Sequence, residues 1–295
     1  MPVTGNHPEV NVDTVVFATD FCASSETAGL YALQLAEHLH ASLLVAHSFL
    51  LTRAAEEAEL RTHAESRQRA DLEIILNEKT QALSSSRVRV TSALVEGAAH
   101  EAIPLLAEKH APALVVLGTH GGGRLEHELI GSVAERILRS TRWPCLTINP
   151  HVAKPAGPTL SFKRVLFATD FTPAATRAAV FAISFSEDAE GSLDVLNVLP
   201  DSARNNSQEW EETKERFTRA LEQLVPNHAR EFISPHTFVE TGDAHKRILA
   251  HVRERSIDLL VLGIRKSSHL GLEMRTSTAF HLIANAECPV LTITS

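Results

Sequence analysis

The chain has 295 residues, 44% of them hydrophobic and 22% charged, with a formal net charge of -8. That length and balance describe a globular protein of about two domains, with ample material for buried cores. The acidic excess argues against nucleic acid or an anionic membrane as a general partner.

The opening stretch, MPVTGNHPEV, has neither the basic nor the apolar segment of a secretory signal. After it, short apolar runs alternate with longer segments of helical period. Thr14–Ala18, Ser42–Phe49, Val88–Leu94, Ala113–Leu117 and Cys145–Ile148 are rich in β-formers and read as strands buried on both faces of a parallel sheet. Between them, Ser24–His40, Arg53–Leu83, Ala98–His110 and Ser132–Ser140 read as helices, the third interrupted by Pro104. The longest apolar stretch, SLLVAHSFLL, is too short to span a bilayer.

The pattern then repeats. TVVFATDF returns as RVLFATDF, VEGAAHEAI as ETGDAHKRI, LVVLGTHG as LLVLGIRK and WPCLTIN as CPVLTIT, in the same order. Strands are expected near 163–168, 191–198, 232–239, 258–262 and 290–293. NPHVAKPAGPTLSF between the copies is linker chemistry. This is a duplicated α/β domain, with the boundary placed so that the halves are 1–155 and 156–295.

Cys22, Cys145 and Cys288 are too few and too scattered for a disulfide framework and suit a reducing compartment, so a cytoplasmic protein is expected. No C-x-x-C, H-x-x-x-H or H-E-x-x-H spacing points to a metal site. Cys22 has two readings, a redox handle or a structural thiol.

An open α/β sheet binds ligands beyond the carboxyl ends of its strands, where strand order reverses. Two loops have suitable chemistry. One follows the first strand with Ala18, Thr19 and Asp20, whose carboxylate suits hydroxyls or an amine. The other, LGTHGGGRLEHELIGSVAERI, carries Gly118, Gly121, Gly131 and Ser132. Gly118 and Gly121 are expected at positive φ, exposing backbone N–H groups. SVAE reads as a capping box, with Ser132 at the N-cap and Glu135 three residues on. The start of that helix would attract an anion. An anion at one end and hydroxyls or a base at the other describe a mononucleotide. A plain Gly-rich connection with a helix cap remains the alternative.

Together, FATDF, the series G-x2-G-x9-G-S and the closing WPCLTI and CPVLTI resemble the universal stress protein family in its tandem, two-domain form, across nearly the whole chain. The resemblance implies two five-stranded, Rossmann-like parallel sheets of order 3-2-1-4-5 with helices on both faces. It also implies adenine-nucleotide binding: ATP, or ADP or AMP, with or without Mg. On this likeness Ala18, Thr19 and Asp20 would contact the adenosine and Ser48 would line the base pocket. Leu117, Gly118, His120 and Gly121 would flank ribose and phosphates, and Gly131, Ser132 and Val133 would bind phosphates. Ala134 stands where the family often has a hydroxyl, and His120 is open between a ligand contact and a solvated loop residue. The likeness further implies an intramolecular pseudo-dimer of the halves through Cys145–Ile148 and Pro289–Ile293, and is compatible with a homodimer of whole chains.

The second half departs from the pattern. Ala168, Thr169 and Asp170 persist, but Lys266 replaces Gly121 and Thr276 replaces Gly131. This half is expected to bind ATP weakly or not at all, with TDFTP serving as loop geometry, Thr172 at the N-cap and Pro173 at N1. The expected function is a nucleotide-binding regulator of a stress response rather than an enzyme. ATP pyrophosphatase or nucleotidyl transferase loops (S-G-G-x-D-S, H-I-G-H) are missing from the sequence. Slow ATP hydrolysis on the same fold and a nucleotide-free scaffold or small-ligand binder stand as alternatives.

Overall fold

The computed structural model describes residues 10–22, 24–51, 58–119, 130–204, 207–264 and 278–294. The chain divides into two compact units, one spanning Val12–Leu160 and the other built on Ser161–Ser295.

In the first unit the strands are β1 (Thr14–Ala18), β2 (Ser42–Phe49), β3 (Val90–Glu96), β4 (Ala113–Gly118) and β5 (Cys145–Ile148). The helices between them are α1 (Ser24–His38), α2 (Ala58–Ala82), α3 (Ala99–Lys109) and α4 (Ser132–Ser140). The sheet order is β3-β2-β1-β4-β5, and all its pairings are parallel. Ala18 stands opposite both Ala46 and Leu117, so β1 and β4 end within a residue of each other while β2 runs three residues further to Phe49, and all three carboxyl ends lie at one edge. The chain reverses its direction of travel across the sheet between β1 and β4, which opens a crevice there.

The centre of this sheet is dry. Val15 and Val16 of β1 and Leu114, Val115 and Val116 of β4 are fully buried, as β-branched and leucine runs covered on both faces should be. β3 is different. It is an outer strand with Thr91 and Ser92 exposed, and it starts at Val90 rather than Val88 because pairing of Val90 with Leu43 sets its register. The expectation that it is buried on both faces is corrected here: a strand with one neighbour cannot be covered as a central one is. α1 presents Ala28, Ala32 and Ala36 to the interior, and the small side chains let its backbone lie close to the sheet.

The second unit repeats the order with β6 (Arg164–Ala168), β7 (Ser192–Leu199), β8 (Ser234–Thr241), β9 (Leu259–Ile264) and β10 (Val290–Thr294), arranged β8-β7-β6-β9-β10. Its main helices are α5 (Pro173–Asp188), α6 (Ser207–Gln223), α7 (Ala244–Glu254) and α8 (Thr278–Asn285). Thr172 caps α5 through its side chain and Pro173 occupies the first turn, as TDFTP suggests. Ala174, Ala175, Ala178 and Ala182 repeat the small-residue stripe of α1. α5 comes so near β9 that a Cβ on Gly263 would stand 2.3 Å from the Ala175 nitrogen. The turns into α3 and α7 both use a glycine the fold requires, Gly97 at φ 135° and Gly242 at φ 130°.

One ionic cluster is built into the second unit. Asp194 of β7, 1% exposed, meets His251 Nε2 at 3.0 Å and accepts hydrogen bonds from Arg255, with His236 Nδ1 at 3.3 Å. His251 Nδ1 faces Glu240 at 3.6 Å, and Arg247 donates to Glu240 at 2.6 Å. Burial alone pushes the Asp194 carboxyl up, but the His251 and Arg255 hydrogen bonds and charges outweigh it and hold it below its ordinary value.

Candidate nucleotide site

The crevice of the first unit is a cleft of about 360 Å³. Its floor comes from strand ends: Ala18, Thr19 and Asp20 after β1, His47 and Ser48 of β2, and Leu117, Gly118 and Thr119 of β4. Its walls are the first turns of α3 and α4, with Ala99 and Ile103 on one and Gly131, Ser132, Val133, Ala134 and Ile137 on the other. Ser25 of α1 also lines it. The proposed contacts Ala18, Thr19, Asp20, Ser48, Leu117, Gly118, Gly131, Ser132 and Val133 therefore share one cavity. His120 and Gly121 lie outside the described residues, as do Lys266 and Thr276 of the second half.

The loop after β1 is held by its own side chains. Phe21 adopts φ 65°, a left-handed conformation costly for a non-glycine residue. Phe21 N–H donates to Thr19 Oγ1 at 3.0 Å, and Cys22 N–H donates to Asp20 Oδ1 at 3.1 Å. Ser25 Oγ–H donates to the Cys22 carbonyl at 2.8 Å, which leaves the Thr19 hydroxyl to donate to Ser25 Oγ at 3.1 Å. The second unit has the same device: Phe171 at φ 58°, its N–H 3.0 Å from Thr169 Oγ1, and Asp170 Oδ1 accepting from Thr172. Thr and Asp in T-D-F thus have a structural task in both halves. In the first unit the exposed Asp20 carboxylate also borders the cleft, and its Oδ1 is engaged by the loop.

The opposite side is a helix start. The Gly131 N–H donates to the Thr119 carbonyl at 2.7 Å, tying the beginning of α4 to the end of β4. The N-cap is Gly131, and no side chain caps the helix. This corrects the capping-box expectation. Ser132 is the first helical residue, and Glu135 pairs with Arg139 one turn on, since an i,i+4 partner is within easier reach. The first-turn N–H groups of Ser132, Val133 and Ala134 have no preceding helical carbonyl to bond, and all three residues line the cleft.

The positive-φ expectation for Gly118 is also corrected. Gly118 ends β4 in register with Ile148, and the positive-φ glycines among the described residues are Gly97 and Gly242. Gly131 has φ -58°, so its value lies in lacking a side chain at the cap rather than in backbone freedom.

Ser25, His47, Thr119, Ala99, Ile103 and Ile137 line the cleft without having been singled out from the sequence, and Ala134, noted there for its missing hydroxyl, lines it too. For α3 and α4 the usable signal was their buried stripes, Ala102–Ile103–Leu106 and Ala134–Ile137–Leu138, whose cleft-facing ends supply the walls. His47 carried no motif. Its Nδ1 lies 2.8 Å from the Thr19 carbonyl, and its ring stacks on Phe21 with centroids 4.0 Å apart. Among the cysteines, burial pushes the Cys145 thiol up and raises Cys288 to about 12, so neither is a ready nucleophile. Cys22 is half-buried. Among the described residues no helix is long and apolar enough to cross a membrane, and no cluster of three or more ligating side chains could hold a metal ion.

The same architecture occurs in known proteins. A universal stress protein from Archaeoglobus fulgidus superimposes with a TM-score of 0.69 over 96% of this chain and 98% of its own, at 20% identity, which shows the fold. A curated universal stress protein of Methanocaldococcus jannaschii is 37% identical over 62 residues, 21% of this chain and 36% of its own length. One of Synechocystis is 41% identical over 56 residues, 19% of this chain and 20% of its own. The aligned segments thus span well under half of either curated relative. The profile of the universal stress protein family matches residues 11–149 and again 161–294. With both halves matched, the chain belongs to the universal stress protein family as a tandem of two such domains.

Proposed function

We propose that the first unit binds an adenine nucleotide and that the chain acts as a nucleotide-binding regulator in a stress response, without turning its ligand over. The observation that carries this reading is the pairing, in one cleft, of the Asp20 carboxylate with the uncapped N-terminus of α4. The helix start offers N–H donors and a positive dipole end to phosphate. The carboxylate repels phosphate and accepts from ribose hydroxyls. Ala99, Ile103 and Leu117 supply apolar surface for a base, and the volume suits a small-molecule site. His120 and Gly121 are proposed to complete the phosphate side, with Mg accompanying a triphosphate. Thr276 stands in the sequence where the first unit has Gly131, and a threonine there replaces a residue with no side chain by one whose hydroxyl can compete for a backbone donor. The second unit is therefore proposed to lack the phosphate side.

Mass spectrometry of small molecules released from purified protein, followed by calorimetric titration with ATP, tests the reading. Adenine nucleotide in the preparation, or saturable ATP binding, supports it. An empty preparation that takes up no ATP, ADP or AMP sinks it. Steady-state phosphate release with Mg and ATP above a no-protein control would replace the regulator with a hydrolase.

A further inference from the structure

The first unit has a second cavity, of about 560 Å³, whose lining shares no residue with the crevice. α1 starts beside the crevice at Ser25 and returns to the amino edge of the sheet, where β2 begins at Ser42. Gln34, Glu37 and His38 of α1 form one wall of the cavity, with His40 just beyond the helix. Arg87, ahead of β3, and Thr159 and Leu160, after β5, form the others. The segment after β5 is strapped along α1. The Tyr31 hydroxyl donates to the Ala153 carbonyl at 3.2 Å, and Gln34 Nε2 donates to the Gly157 carbonyl at 2.7 Å. A carbonyl only accepts, so this bond fixes which end of the Gln34 amide is oxygen. That Oε1 is buried, with no hydrogen-bond partner among the described residues. Ser85 joins two other groups of the site: its hydroxyl donates to Glu37 Oε1 and accepts from the Arg87 backbone N–H at 3.1 Å. The cavity is thus lined by acceptors from α1, Gln34 and Glu37, and by the guanidinium of Arg87 from another segment.

The shared fold does not call for this set. A helix C-terminus favours cations, which by itself would account for His38 and His40. α5 ends in the same backbone form, with Glu190 at φ 47° where His40 stands at φ 52°. Yet α5 has Asp188 in place of His38, Glu190 in place of His40, and no basic residue in its last turn. Leu43 pairs with Val90 and its counterpart Leu193 pairs with Pro235, so Phe232 of the second unit stands where the first has Arg87. Neither the helix end nor the strand start requires a base at these places, and the first unit supplies three of them around one cavity.

We infer that this cavity binds a free α-amino acid, its carboxylate on Arg87 and its ammonium on Gln34 and Glu37. A guanidinium grips a carboxylate with two parallel N–H bonds. An ammonium brings three donors, which the Gln34 oxygen and the Glu37 carboxylate accept. A plain anion would satisfy Arg87 but set its charge against Glu37, and a plain amine would leave the guanidinium unmet. A buried acceptor without a partner costs stability, and the ammonium removes that cost at Gln34. His38, His40 and Leu160 are left to meet the side chain of the ligand.

The test is calorimetric titration of the full chain with the common L-amino acids, each up to about 10 mM. At least one is expected to bind saturably. Its N-acetyl derivative, which lacks the ammonium, and its methyl ester, which lacks the carboxylate, are each expected to bind about tenfold more weakly or worse. Arg87→Ala, at an exposed position, and Glu37→Gln, which keeps an acceptor for Ser85, are each expected to weaken binding by about tenfold or more. Binding of no amino acid overturns the inference. So does a derivative that binds as well as its parent, which marks a site for one charge rather than two. Unchanged affinity in either folded variant overturns it as well.

Discussion

Gly131 holds φ and ψ angles that any residue could adopt, yet it leaves the start of α4 uncapped. Gly131→Thr, which copies Thr276, is expected to weaken ATP binding by about tenfold or more, because a self-capped helix no longer offers that N–H to phosphate. The melting temperature should hold or rise, since threonine caps better than glycine, so calorimetry and thermal unfolding should move apart. Unchanged affinity would show that phosphate does not sit there. A second residue-scale prediction concerns Asp194. Its carboxyl is held below the ordinary 3.8, so the folded state binds this proton less readily than the unfolded one. The stabilisation is present above the ordinary value and is lost as pH falls through the depressed one. Asp194→Asn leaves Arg255 and His251 without their shared carboxylate and should cost about 2–4 kcal/mol in urea unfolding at neutral pH. The cost should shrink in acid, and a pH-independent difference would show that the charge contributes little.

At the scale of elements, the approach of each first helix to its sheet sets the shape of the crevice. Gly263→Ala would put a Cβ 2.3 Å from the Ala175 nitrogen and 2.5 Å from two more α5 backbone atoms. A backbone cannot rotate aside as a side chain can, so a loss of about 3 kcal/mol is expected, read as a lower denaturation midpoint. This gives Gly263 a reason to persist that owes nothing to phosphate, and it separates two meanings of a glycine that spacing merges. The strand runs and the short helix Ser132–Ser140 were legible in the sequence because burial and period act locally. The N-cap was misplaced by one residue because serine is the better intrinsic cap. The tie from Gly131 N–H to the Thr119 carbonyl comes from tertiary pairing that propensity does not contain.

Over the whole molecule, two units share one strand order, and their sequences differ where the phosphate side is proposed, with Lys266 and Thr276 standing for Gly121 and Gly131. ATP titration is expected to give a stoichiometry of about one per chain, since Thr276 replaces Gly131 and Lys266 replaces Gly121 in the second half. Asp170→Ala should leave that number and the affinity unchanged, because Asp170 Oδ1 is engaged by Thr172 in its own loop. A stoichiometry of two would overturn the inequality. Asp20→Ala, by contrast, should weaken ATP while removing the same kind of loop bond, so the pair of variants separates ligand contact from loop geometry.

The sequence by itself determined the duplication, the alternation of strand and helix, and the residues at both strand ends that face the cleft. These depend on composition and period along the chain, where neighbours in sequence are neighbours in space. The tertiary structure decided what no local pattern contains. It placed Ile103 and Ile137 as opposing walls, because two helices distant in sequence meet over one crevice. It joined the His47 ring to the Thr19 carbonyl, because only the fold brings together two groups 28 residues apart. It turned Gly263 from a turn signal into a packing contact, because only the folded chain brings α5 against β9.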